Sequence, residues 1–439
     1  MMKTNVSRSM ATLQTHEGGP ARVLDAASEL RRALMACLLF EDTFYENGVE
    51  IAQRIHDLST KVPVADVAAL AVEARTVQGL RHAPLWLALG LIKRGATLRD
   101  LLPQIMKRPD DMTEFLAMYW KDGRKPIPAQ VKKGLRAAFS AFSPYQLAKY
   151  ANRDGIKLRD VMFLVHPEAK TKDLEDTYKL LAEDKLGNAD TWEVAISAAG
   201  NDEAKRRAEW NRLLSEGKLG SLALLRNLRN ISEAGVPFEV VKGAMENGLN
   251  DNRVWPLQYF AALRHAPHYA LLIQDALDRR MKLEHPLAGS TAILVDVSGS
   301  MTQGMAGKSQ LSLMDAAAAM AATFKGEQVR LFSFSDEVVE VPFFNNMGTA
   351  DMIVRSQNHH GTHMGAAVAT VAGVAHFDRL IVITDEQSAD RVPNPPRGCK
   401  GYIMNVATAK NGVGYGPWTH INGFSQAAWK YIEALEGAA

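Results

Sequence analysis

The hydrophobic period of this chain changes once, near residue 286, and that change limits it to a two-part architecture. Before it, apolar side chains recur at helical spacing in one segment after another: AASELRRALMACLLF, APLWLALGLIKRG, VKKGLRAAFSAF, LGSLALLRNLRNISEAGV and VWPLQYFAALRHA. Residues three and four apart share one face of a helix, so each segment predicts an amphipathic helix. Pro103, Pro128, Pro144, Pro167, Pro237 and Pro256 predict breaks, and Gly155, Gly187 and Gly235 predict helix stops. No period-2 pattern stands out in this half. Many short helices in succession predict a helical-repeat array, although no strict sequence period accompanies it.

After EHPLAGS the pattern becomes STAILVDV, QVRLFSFS, RLIVIT and GYIMNVA, with the helical segments SLMDAAAAMAATF and HMGAAVATVAGVA between them. Short, nearly continuous apolar strands alternating with helices predict a doubly wound parallel sheet covered on both faces. The expected division is a polar lead-in over 1–21, a helical domain over 22–285 and an α/β domain over 286–439. A chain of 439 residues exceeds what one hydrophobic core supports, which agrees with that division.

Charge adds little by itself, because the net is +2. Divided at residue 286, the balance is +5 before and −3 after, and seven of the twelve histidines fall in the first part. This permits a local nucleic-acid surface without making a basic protein. No apolar run is long enough to span a bilayer, and the polar start lacks the apolar core of a signal peptide. Cys37 and Cys399 are the only cysteines and have no metal-ligand spacing, so a reduced, cytoplasmic setting is expected.

In open α/β sheets ligands collect at the carboxyl ends of the strands. Asp296 ends the run AILVD and Asp385 follows LIVIT, so both acids are expected on one edge. Asp296, Ser298 and Ser300 form D-x-S-x-S, and Thr362 in HHGTHMGAA adds a hydroxyl at a helix entry. Five oxygen donors from three loops, without sulfur, suit a hard cation such as Mg²⁺ or Mn²⁺. The set resembles the metal-ion-dependent adhesion site of von Willebrand factor A domains, over roughly residues 288–439.

Other chemistries fit poorly. GMAGKS (304–309) has Thr302 where a Walker A loop needs glycine, and no serine-hydrolase elbow or H-E-x-x-H motif is present. His359, His360 and His363 are read as exposed loop histidines beside Thr362. No enzymatic activity is expected.

The helical half narrows the reading. LGSLALLRNLRNISEAGV (219–236) and LAKYANRDGIKLRDVMFLVHP (147–167) resemble segments of the TROVE module of the Ro autoantigen family. RALMACLLFEDTFYENG, LRHAPLWLALGLIKRG and WPLQYFAALRHA fit the same module more loosely. The resemblance implies HEAT-like repeats forming a ring closed by a von Willebrand-type domain. It also implies binding of Y-like RNA and of single-stranded 3′ ends of misfolded RNA, and an exoribonuclease tethered through RNA. By that resemblance Lys149, Arg153 and His166 match positions that contact Y RNA. Arg81 with His82, and Arg226 with Arg229 beside Asn227 and Asn230, are two further candidate RNA-facing groups. A monomeric scaffold is expected. The competing reading is a metal-dependent protein-interaction scaffold without RNA.

Overall fold

The computed structural model describes residues 13–35, 43, 45–151, 155–249, 254, 256–282, 285–305, 311–414, 416–423 and 427–437. They divide into two units. One joins the residues up to Ile51 to those from His285 onward, and the other runs from Ala52 to the end of the helical half. The second boundary lies at His285, one residue from the expected start at 286. The first differs, since residues 22–51 were expected in the helical domain.

The reason lies in what the N-terminal segment bonds to. Thr15 Oγ1 donates to the Ser388 carbonyl at 2.8 Å, the His16 amide donates to Gln387 Oε1 at 2.9 Å, and the Arg22 amide donates to the Gly412 carbonyl at 3.0 Å. The helix Ala26–Met35 then brings Arg32 to the same loops, where Nε donates to the Ala409 carbonyl at 2.8 Å. The stretch expected to be a loose lead-in is therefore tied down from Leu13 onward.

The sheet of this unit has strands β1 (Leu287–Asp296), β2 (Gly326–Phe334), β3 (Val338–Val341), β4 (Arg379–Thr384), β5 (Lys400–Asn405) and β6 (Thr419–Asn422). Its spatial order is β3-β2-β1-β4-β5-β6, parallel except for the β2–β3 pair. The chain thus leaves β1 toward one edge and returns at β4 toward the other, which makes the β1–β4 boundary the switch point of the sheet. Ala292, Leu294, Phe332, Phe334 and Val382 pack one face against Met364, Ala367, Val368 and Val371 of the helix Met364–Val374. Ile293, Val295 and Ile383 alternate onto the opposite face and are fully buried too. The helix Leu313–Ala322 packs on β1 and β4 and is buried along its whole length. Its small side chains permit that close approach, and Ser312 starts it by accepting from the Asp315 amide while Asp315 accepts from the Ser312 amide.

The other unit is helical throughout among its described residues, from Val64–Thr76 to Ala270–Met281. Proline sets its boundaries largely as expected. Pro144 and Pro256 open helices, and Pro128 and Pro237 stand immediately before them. Pro103 is different, because it lies inside the helix Leu98–Ile105. Its ring removes one backbone donor, so the carbonyl four residues back, that of exposed Arg99, is left without its helical partner.

Gly134, on the helix Ala129–Phe139, faces the helix Leu98–Ile105 without room for a side chain. An added Cβ would stand 2.5 Å from the Leu98 carbonyl oxygen and 2.9 Å from Leu102 Cδ1. Alanine is intrinsically better in a helix by about 1 kcal/mol, but overpacking against backbone costs about 1–3 kcal/mol. Gly134→Ala is therefore expected to lower the melting temperature by a few degrees, as read by circular dichroism. A rise would show that the two helices separate freely.

Candidate metal centre and nucleic-acid interface

Parallel pairing sets Val295 beside Ile383 at the ends of β1 and β4, so Asp296 and Asp385 leave the sheet together. Asp296 is fully buried and Asp385 is 2% exposed. The Ser298 amide donates to Asp296 Oδ1 at 2.9 Å, and Thr384 Oγ1 donates to Oδ2 at 2.6 Å. Ser298 and Ser300 hold their hydroxyl oxygens 3.3 Å apart, and the short helix Gly299–Thr302 starts between them. Ser300 lies near Asp385, whose Oδ1 accepts from the Gln387 amide at 3.0 Å. Thr362 is buried in the neighbouring loop, which is pinned to the first by the Gly299 amide donating to the His360 carbonyl at 3.0 Å. The Thr362 carbonyl in turn accepts from the Ala389 amide at 2.8 Å.

The electrostatics of this edge are unusual for structural carboxylates. Burial raises the pKa of Asp296, and the neighbouring charge of Asp385 raises it further, against hydrogen bonds from Ser298 and Thr384. Burial likewise raises Asp385, assisted by Glu17 and opposed by Ser300, Gln387 and Arg32. Among the described residues no lysine or arginine side chain forms an ion pair with either acid. Two desolvated carboxylates lined by neutral hydroxyls form a donor set suited to a hard divalent cation, and Asp296, Ser298, Ser300, Thr362 and Asp385 are the residues that can hold it. No cluster of three or more His, Cys, Asp or Glu with metal-holding geometry occurs among the described residues. The set differs from such clusters because it relies on hydroxyl oxygens.

Several residues at this edge were not legible in the sequence. Tyr45 lies near Ser300, donates to Glu17 Oε1 at 2.7 Å and stacks on His16 with centroids 4.5 Å apart. Glu386 follows Asp385 with φ 61°, a left-handed conformation that side chains rarely adopt. Its carboxylate meets Arg32 Nη1 at 2.5 Å and His420 Nδ1 at 3.1 Å. Burial raises its pKa, but Arg32 and His420 outweigh burial and hold it at about 2. Of the three loop histidines, His360 and His363 are exposed beside Asp336. His359 is half-buried, with Nδ1 2.8 Å from the Val297 carbonyl, because it closes the turn under the D-x-S-x-S segment.

In the helical unit the candidate RNA-facing residues differ in how free they are. Lys149 closes the helix Pro144–Tyr150, half-buried, with its ammonium 5.9 Å from the Tyr150 ring centre. Arg153 lies outside the described residues. His166 is exposed and ends the helix Leu158–Val165 in the left-handed conformation, φ 49°. Exposed Phe163 on that helix, with Arg159 5.6 Å over its ring, adds an aromatic surface that the sequence reading passed over. Arg226 and Arg229 are exposed on the helix Ser221–Glu233, and Arg229 stands 3.6 Å from Glu233.

The amide half of that expected face is buried at Asn227 and half-buried at Asn230. Asn227 is buried and donates to the Ala223 carbonyl, while Asn230 donates to Asn227. Adjacent helix positions point in different directions, so the arginines face out and Asn227 faces in.

Arg81 is likewise engaged. It pairs with Asp110 and Glu114 at 2.6 Å each and with Asp111 at 3.1 Å, and His82 contacts Glu114 at 2.9 Å. The acids belong to the first turns of the helix Pro109–Tyr119, and Arg75 and Arg108 complete the cluster. The cation the sequence offered at this place has its charge matched within the fold.

Comparison with known proteins finds two partial family matches. The von Willebrand factor type A domain family matches residues 291–387, and the TROVE domain family matches residues 182–266. Two separate stretches of the chain are thus similar to these two domain families. Among solved structures, the Ro (RSR) protein of Deinococcus radiodurans aligns with a TM-score of 0.58 and 19% identity, covering 93% of this chain and 99% of that one. The two therefore share a fold. Protein BatB of Bacteroides thetaiotaomicron is 14% identical and covers 35% of this chain and 98% of its own, at a TM-score of 0.24 that bears on nothing further. No curated protein matches the chain. No helix of the described residues is long and apolar enough to cross a membrane.

Proposed function

We propose that this is an RNA-binding protein of Ro type, a non-catalytic scaffold for Y-like RNA and for single-stranded 3′ ends of misfolded noncoding RNA. The observation that carries the reading is a TROVE match over 182–266 on a helical unit in which His166, Arg226 and Arg229 are exposed and Lys149 is half-buried. Cations on helix faces meet phosphates without reading sequence, which suits structured RNA of varied sequence. Exposed Phe163 beside His166 supplies a face on which an unpaired base stacks. An exoribonuclease tethered through the bound RNA would act on the strand this protein presents. At the sheet edge, the same proposal assigns Mg²⁺ or Mn²⁺ to Asp296, Ser298, Ser300, Thr362 and Asp385. The ion would neutralise the paired acids and offer a positive point to an outside oxygen ligand.

Two binding experiments test the RNA reading. Lys149→Ala with Arg153→Ala removes about two phosphate contacts, so the slope of log affinity against log salt should fall by roughly 1.4–1.8. An unchanged slope would show that this face does not touch RNA. A structured RNA with a 3′ single-stranded tail should also outcompete its blunt counterpart in filter binding, by roughly fivefold or more if one base stacks. Equal competition would remove the assignment of 3′ ends and favour a protein-interaction scaffold.

A further inference from the structure

The helix Ala129–Phe139 carries Lys132, Lys133 and Arg136 and no acidic residue. All three cations are exposed, and neither lysine makes an ion pair or a side-chain hydrogen bond among the described residues. Arg136 Nε donates to the Val165 carbonyl at 2.6 Å, and Ser140 Oγ, just past the end of the helix, donates to the Glu168 carbonyl at 3.2 Å. These two bonds fasten the helix to the turn 166–170, so its cationic face begins beside exposed His166. The opposite face is held against the helix Leu98–Ile105 by the close approach at Gly134.

The acids around this face leave its charge uncancelled. On the helices packed against it, Asp100 stands 3.9 Å from Arg99, and Asp160 accepts from the Lys157 amide at 3.1 Å. Glu168 is the exposed acid of the turn, and exposed Lys170 two residues on offsets it. By contrast, the exposed lysines Lys172, Lys205 and Lys218 each have an acid partner, Asp176 at 3.1 Å, Asp202 at 3.3 Å and Asp190 at 2.7 Å. Nor does the helix gain from the arrangement, because Lys132 and Arg136 are one turn apart, where like charges destabilise it.

Unpaired cations on a fixed helix face meet phosphates, contacts that position a nucleic acid without reading its sequence. The other exposed residues of the helix are Ala129, Gln130 and Ala137. The face therefore has no large apolar side chain to sink into a bilayer or to fill a pocket on a protein partner. We infer that Lys132 and Lys133 hold phosphates of a structured RNA whose path continues onto His166. The inference rests on the RNA-binding reading and extends that surface to a second helix.

The test titrates the full chain against a labelled blunt RNA hairpin, without a single-stranded tail, in fluorescence anisotropy over a range of salt. Lys132→Gln with Lys133→Gln keeps helix propensity and should leave the melting temperature unchanged. It should weaken binding and lower the slope of log affinity against log salt by roughly 1.4–1.8, the value for two phosphates. Lys172→Gln with Lys205→Gln removes the same charge from lysines that have acid partners, and should leave the slope as in wild type. An equal fall in both variants would show that only net charge matters and overturn the assignment. An unchanged slope in the Lys132–Lys133 variant would overturn this face alone, provided Lys149→Ala with Arg153→Ala still lowers it. Phosphatidylserine vesicles should compete poorly with the hairpin. Strong competition that the Lys132–Lys133 variant abolishes would reassign the face to a membrane surface. If wild type does not bind the hairpin, the broader RNA reading fails and this inference with it.

Discussion

Arg32→Met is expected to destabilise the sheet-containing unit by about 3–5 kcal/mol, the cost of leaving one partner of a buried ion pair uncompensated. Arg32 is 1% exposed and Glu386 fully buried, and their charged groups meet at 2.5 Å. Gly412 permits that meeting, since a Cβ there would lie 2.0 Å from Glu386 Oε2 and 2.2 Å from Arg32 Nη1. Methionine fills similar volume but leaves the carboxylate with only His420 in direct contact and the charge of Arg22 farther off. Against a net stability of about 5–15 kcal/mol for a typical domain, such a loss is decisive. Urea denaturation monitored by near-ultraviolet circular dichroism measures it, and a loss under about 1 kcal/mol would contradict the pairing. Adding Glu386→Gln to Arg32→Met should recover much of the loss, because it removes the stranded charge.

The same pair predicts a pH dependence with a definite sign. Glu386 titrates at about 2 in the folded protein against an ordinary 4.5. Its folded pKa is depressed, so its contribution is fully present above about 4.5 and declines as pH falls from there toward 2. In Arg32→Met that component of the acid sensitivity should shrink.

Asp296→Asn is expected to abolish Mg²⁺ and Mn²⁺ binding while keeping the fold. The substitution preserves the side chain's shape, with its oxygen accepting from the Ser298 amide and its NH2 donating to the Thr384 hydroxyl, but removes one of only two anionic donors, leaving Asp385 among hydroxyls. Because burial and Asp385 both disfavour the Asp296 charge, the metal-free variant should be at least as stable as the metal-free wild type. In wild type, a metal at about a hundred times its dissociation constant should add about 2.7 kcal/mol. Calorimetric titration and melting with and without Mn²⁺ separate these outcomes. Equal heat and an equal melting shift in the variant would sink the metal assignment.

The sequence by itself determined the two halves, the long strands and the site acids. A run such as AILVD can satisfy its backbone only inside a covered sheet, and parallel neighbours must end on the same edge, so Asp296 and Asp385 were legible together. The four-residue strands Val338–Val341 and Thr419–Asn422 were not, because edge strands that short carry too few residues for a period to show. Local pattern also predicted the histidine-bearing loop and most proline boundaries.

Only the tertiary structure decided which charges are spent. Arg81 and Arg226 look alike in sequence, yet one is enclosed by Asp110, Asp111 and Glu114 and the other stands in solvent. The acids that distinguish them lie about thirty residues away, so no local window contains them. Arg32 and Glu386 are separated by more than three hundred residues in the chain, and their pairing moved the N-terminal segment from the helical half to the sheet. Periodicity reports the face a residue occupies, whereas charge partners depend on contacts that only the folded chain closes.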